Sequence, residues 1–109
     1  MDLVTEIYRV TQNFPKEEIF GLISQLRRAA VSVPSNIAEG QGRLTEKEFR
    51  QFLGNARGSL AEVETQVIIA NDLGFLDDQD FQNLSAKITE VARVLNGLIS
   101  SVISEKRSK

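Results

Sequence analysis

The sequence contains no cysteine and no histidine. Without cysteine there is no disulfide, no thiolate metal ligand and no thiol nucleophile. Without histidine the chain lacks the commonest general base and the commonest transition-metal ligand. Together these absences exclude a Ser-His-Asp triad, a zinc site of the usual kind and a Glu-x-x-His di-iron site. Tryptophan is also missing, and aromatics make up only 6% of the chain. No apolar run approaches the ~20 residues of a membrane span. The opening Met1-Asp2-Leu3-Val4-Thr5-Glu6 has neither the basic nor the apolar region of a signal peptide. The expectation is a cytoplasmic, non-enzymatic protein with no cofactor and no resident metal.

What is present is ordinary globular material. The 109 residues are 41% apolar and 26% charged, with a net charge of −2. That length predicts one domain, 1–109, able to bury a core without staples. Four segments carry apolar residues at alternating steps of three and four. The first holds Leu3, Ile7, Val10 and Phe14. The second holds Ile19, Leu22, Leu26, Ala29 and Val33. The third runs from Phe49 through Leu53, Leu60 and Val67 to Ala70. The fourth runs from Phe81 through Ile88 and Leu95 to Val102. Each set falls on one stripe of a helix. The pattern predicts an all-α fold, an antiparallel up-down four-helix bundle with a short first helix. The third and fourth helices should run about 25 residues each, and the tail over about 104–109 is expected to fray.

Local punctuation agrees with these boundaries. Phe14-Pro15 separates the first two segments, because the residue before proline disfavours helix. Asp2 and Asp77 can cap the first and fourth helices. Thr45-Glu46-Lys47-Glu48 has capping-box spacing, and Gly74 sits where a left-handed stop belongs. Pro34 falls inside the second helix, whose apolar phase continues from Val33 to Ile37. A kinked helix reaching about Gln41 is expected there, with Asn36 and Glu39 at capping-box spacing to serve the freed amides. The bend either wraps the helix around its bundle or shapes a partner surface. Gly40-Gln41-Gly42 reads as a helix exit.

The charge is unevenly spread. From Arg27 to Arg57 the basic residues are Arg27, Arg28, Arg43, Lys47, Arg50 and Arg57, against Glu39, Glu46 and Glu48. These six are the candidate nucleic-acid contacts, since guanidinium suits phosphate and a basic helix stripe can track a backbone. The competing reading of Arg27 and Arg28 is a salt bridge to Glu39, Glu62 or Glu64. For Lys47, Arg50 and Arg57 it is a solvated helix face. No aromatic interleaves the charges to stack bases. Gly54, Gly58 and Ala61 make a smooth strip that another helix could approach. Ile23, Ile37, Ile68, Ile69, Val94, Ile99 and Ile103 lie partly off the seam and suggest a second apolar face, hence self-association.

The run Phe14-Pro15-Lys16-Glu17-Glu18, with Gln25-Leu26-Arg27-Arg28-Ala29-Ala30 leading through Val33-Pro34-Ser35-Asn36 to Glu39-Gly40, carries a resemblance. So do Ala56-Arg57-Gly58-Ser59-Leu60-Ala61-Glu62 and Asn96-Gly97-Leu98-Ile99. On these residues the chain resembles the four helix bundle protein family, found encoded in intervening sequences of bacterial 23S ribosomal RNA genes. The resemblance implies an antiparallel four-helix bundle assembled as a ring-like homopentamer. A related branch, the accessory variability determinant of diversity-generating retroelements, is a basic pentamer that binds nucleic acid and works with a reverse transcriptase. This chain departs from that branch in its acidic balance, with an isoelectric point near 5.2. Two functions remain open on the sequence: a homo-oligomeric accessory protein binding RNA or DNA, or a protein assembly module with no nucleic-acid partner.

Overall fold

Four helices account for most of the chain: α1 (Asp2–Thr11), α2 (Leu22–Gln41), α3 (Glu46–Asp72) and α4 (Asp78–Ser108), with a single 3-10 turn at Lys16–Glu18. The structure, a computed structural model, describes the backbone of residues 1–108 and the side chains of 1–102. No strand occurs among the described residues. The fraying expected over about 104–109 is not seen in the described backbone, which stays helical through Ser108.

Each helix packs on its two neighbours in the order α1–α2–α3–α4–α1, with no close backbone approach across either diagonal among the described residues. That is the cross-section of a four-helix bundle. Partner positions run in opposite directions along the chain. Ser32 meets Ser59 (2.9 Å), whereas Gly40 lies against Phe49 and Phe52. Arg27 meets Thr11 (2.8 Å), whereas Ile37 and Leu3 border one groove. α1 and α2, and α2 and α3, therefore pack antiparallel.

The stripes read from the sequence form the core. Leu26, Val33, Leu53, Ala56, Val63, Leu84 and Leu95 are buried. Each fully buried Leu or Val contributes about 1.5–3 kcal/mol relative to exposure. Phe14 closes one end of the bundle by packing on Phe75, ring centroids 5.5 Å apart.

The helix ends have identifiable causes. Thr45 accepts a hydrogen bond from the Glu48 amide (3.2 Å), and its hydroxyl donates to the Glu48 carboxylate (3.2 Å). Asp77 accepts from the Asp80 amide (2.7 Å). Gly74 adopts φ +78°. The Phe75 amide reaches the Ala70 carbonyl and the Gly74 amide that of Asn71, a Schellman stop. Arg9 bridges Glu6 on its own helix to Asp80 on α4 (2.6 Å). Glu6 and then Asp80 hold the Arg9 guanidinium above its ordinary pKa. A raised pKa keeps this cation charged throughout the ordinary pH range.

Several expectations are corrected. Asp2 is the first residue of α1 and does not cap it; the N-cap is Met1, without a side-chain bond. Ile19 ends the 3-10 turn and is exposed instead of sitting on the seam. Asn36 and Glu39 form no capping box. Asn36 donates to the Ser32 carbonyl (2.8 Å) and hydroxyl (2.9 Å), and Glu39 pairs with Arg43. The helix exit expected at Gly40-Gln41-Gly42 is present: α2 ends at Gln41 and Gly42 is its C-cap. Of the presumed second apolar face, Ile23 belongs to the core, and Ile37 and Ile99 pack against it. Ile68, Ile69 and Val94 are exposed. Ile103 lies outside the described side chains.

Candidate nucleic-acid interface

The bundle divides the six basic candidates into two classes. Arg27, half-buried on α2, points back at α1. Its Nε donates to Thr11 Oγ1 (2.8 Å) and its Nη2 to the Tyr8 carbonyl (3.4 Å). Its guanidinium lies 4.7 Å from the Tyr8 ring centroid. Thr11 is itself buried and donates to the Ile7 carbonyl (2.7 Å). Arg27 therefore ties α1 to α2, and none of Glu39, Glu62 or Glu64 is its partner.

Arg43, in the α2–α3 connection, is also engaged within the chain. It pairs with Glu39, lies 3.9 Å from a Glu48 oxygen and stacks 4.8 Å from the Phe52 ring centroid. Two carboxylates offset its charge at the point where α3 begins.

The other four remain open. Arg28, Lys47, Arg50 and Arg57 form no ion pair among the described residues. Lys47 and Arg50 flank a shallow surface hollow together with Gln51. Arg57 is exposed two turns further along α3, about 10 Å from Arg50 along the axis. Arg28 is exposed on α2, the helix that packs on α3. Helical spacing turns Lys47 away from the core residues Leu53, Leu60 and Val67, whereas Arg50 and Arg57, three and four residues from Leu53, flank that core stripe on one side of α3.

Two features were not read from the sequence. One is the Tyr8–Arg27 stack, formed across nineteen positions, for which no local pattern exists. The other is the polar cluster of Ser32, Asn36 and Ser59 between α2 and α3. Its only sequence signal is small hydroxyl residues at core-flanking positions.

Among the described residues no three His, Cys, Asp or Glu side chains gather to hold a metal ion. The best-formed groove holds about 230 Å³. It is walled by Leu3, Ile37, Val91 and Val94, with Lys87 and Glu90 at its border. No helix is long and apolar enough to cross a membrane among the described residues.

Comparison with known proteins places this geometry. The chain is similar to a Bacteroides thetaiotaomicron VPI-5482 protein of unknown function from the S23 ribosomal protein family. The TM-score is 0.77 at 19% identity, over 88% of this chain and 87% of that one. At that identity the likeness shows the shared fold. No curated protein matches the chain significantly. The family model described as 23S rRNA-intervening sequence protein matches residues 1–97, nearly the whole bundle, and the chain belongs to that family.

Proposed function

We propose that this protein is a non-enzymatic, self-associating helical bundle that binds nucleic-acid phosphate through Arg28, Lys47, Arg50 and Arg57. The observation that carries this reading is the contrast among the basic residues. Arg27 and Arg43 are engaged inside the chain, whereas these four form no ion pair among the described residues. Phosphate contact of this kind positions a duplex or strand without reading its sequence. The acidic balance of the whole chain makes one copy a weak ligand, and repetition of the row in an assembly raises its avidity. A homopentamer is the assembly proposed; light scattering behind size exclusion measures it directly.

The test is fluorescence anisotropy of a labelled structured RNA and a labelled duplex DNA at low and high salt. Binding is expected at low salt, with steep weakening as salt rises. The triple variant Lys47→Glu, Arg50→Glu, Arg57→Glu is expected to abolish it. Undiminished binding by a folded triple variant would refute the row.

A second reading is favoured by a different observation. Phe20 is 93% exposed and Leu44 99% exposed, at the two ends of the bundle. Side chains so apolar and so open fit a protein partner. Complete absence of nucleic-acid binding at low salt would leave that assembly role as the function.

A further inference from the structure

We propose that Phe20 of one copy of the chain inserts into the apolar groove beside α1, α2 and α4 of the next copy, and that this contact repeats around a closed ring. The proposal names the contact behind the self-association stated above and rests on that reading. Phe20 is 93% exposed, and Ile19 beside it 57%. Neither sits on a loose loop. The Ile19 amide reaches the Lys16 carbonyl (3.2 Å) and the Gly21 amide that of Glu18 (3.1 Å). The Glu18 carboxylate accepts from the Leu22 amide (3.4 Å). The backbone on both sides of Phe20 is thus fixed, and a side chain positioned before contact gives up little freedom on binding. Aromatic residues that fill a pocket are the usual anchors of protein interfaces.

The groove has the size and the chemistry for that side chain. Leu3, Ile37, Val91 and Val94 wall about 230 Å³, and an apolar cavity of about 150 Å³ is enough to hold benzene. The backbones of α2 and α4 make no close approach among the described residues, which leaves the space between Ile37 and Val94 open. Val94 is 58% exposed. One turn further along α4, Leu98 borders a second hollow with Leu44, so the apolar wall continues. Phe20 cannot reach the groove of its own chain. It precedes α2, whereas Ile37 lies in the last turns of that helix, about 22 Å along the axis. Phe20 therefore fills the groove only from a second copy.

The charges beside the two surfaces are complementary. Lys16 and Glu17 are exposed on the turn that carries Phe20, and Lys87, Glu90 and Asp2 border the groove. None of these five forms an ion pair among the described residues. With Phe20 seated, Glu17 meets Lys87, and Lys16 meets the carboxylates of Glu90 and Asp2. The inserted turn and the groove are different surfaces, so the contact is heterologous. A heterologous contact gives a ring when its rotation closes, which agrees with the homopentamer proposed above. It uses none of Arg28, Lys47, Arg50 and Arg57, so assembly and phosphate binding are separable.

The experiment is sedimentation velocity at low salt on the full-length chain. The samples are the wild type, Phe20→Asp, Glu17→Lys, Lys87→Glu and the double variant Glu17→Lys with Lys87→Glu. Circular dichroism confirms that each is folded. The wild type is expected to sediment as an assembly of more than two copies, and Phe20→Asp as a single chain. Each single charge variant is expected to need several-fold more protein to reach the wild-type mass. The double variant should recover it, because the exchanged pair is again opposite in sign. A loss of assembly through weakened folding would not be recovered by a second substitution. Wild-type mass in folded Phe20→Asp, single charge variants that assemble as the wild type does, or a double variant that recovers nothing would each overturn the proposal while self-association stands. A wild type that remains a single chain would remove both.

Discussion

Arg27 and Arg28 are adjacent in sequence and opposite in circumstance. Helical geometry turns them about 100° apart, which places one against α1 and the other in solvent. Replacing Arg27 with methionine keeps most of the packed stem but removes the bonds to Thr11 and Tyr8 and the stack on the Tyr8 ring. The expected loss is about 1–2 kcal/mol of unfolding free energy. Arg28→Met touches no such network and is expected to stay within about 0.5 kcal/mol of the parent. Urea denaturation of both variants checks the difference. Equal stabilities would mean that the Arg27 contacts contribute nothing net. Sequence alone could not separate the two residues, because the deciding neighbours, Tyr8 and Thr11, sit a whole helix away.

At the scale of the element, legibility follows the range of the forces involved. Thr45 and Gly74 were readable as helix boundaries because a cap is a contact over three or four residues and a left-handed stop is a property of one backbone position. The four apolar stripes were readable because helical period is local. Ile19 was misplaced because the chain reaches α2 through a 3-10 turn that rotates it into solvent. Gly40 was read only as part of the helix exit because its packing role is set by α3. A Cβ there would lie 2.9 Å from both the Phe49 ring and the Phe52 Cβ. This contact predicts opposite signs for one substitution at two helical glycines. Gly54→Ala gains about 1 kcal/mol of helix propensity with no clash. Gly40→Ala has the same gain but forces Phe49 and Phe52 aside, at a cost of about 1–3 kcal/mol, and is expected to be net destabilising. Thermal melts at a concentration where single copies prevail test the pair. Stabilisation at Gly40 would show that the α2–α3 contact yields easily.

At the scale of the whole molecule, the candidate site was legible as composition but not as availability. The sequence marked six basic residues between Arg27 and Arg57, and only the packing of α1 on α2 and the start of α3 reveals which cations are already engaged. The overall charge of −2 argues against non-specific attraction to a polyanion, so the proposed binding rests on the open row. Each cation that neutralises a phosphate contributes about −0.9 to the slope of log affinity against log salt on duplex DNA. Removing one contact should therefore make the slope shallower by about one. Arg50→Gln and Arg57→Gln are each expected to show that change. Arg27→Gln and Arg43→Gln should leave the slope as it was, because their charges are directed into the chain. Anisotropy titrations across a salt series measure all four. Equal slopes for the four variants would mean that the attraction belongs to no particular row, whereas a change confined to Arg50 and Arg57 would locate the phosphate beside those two residues of α3.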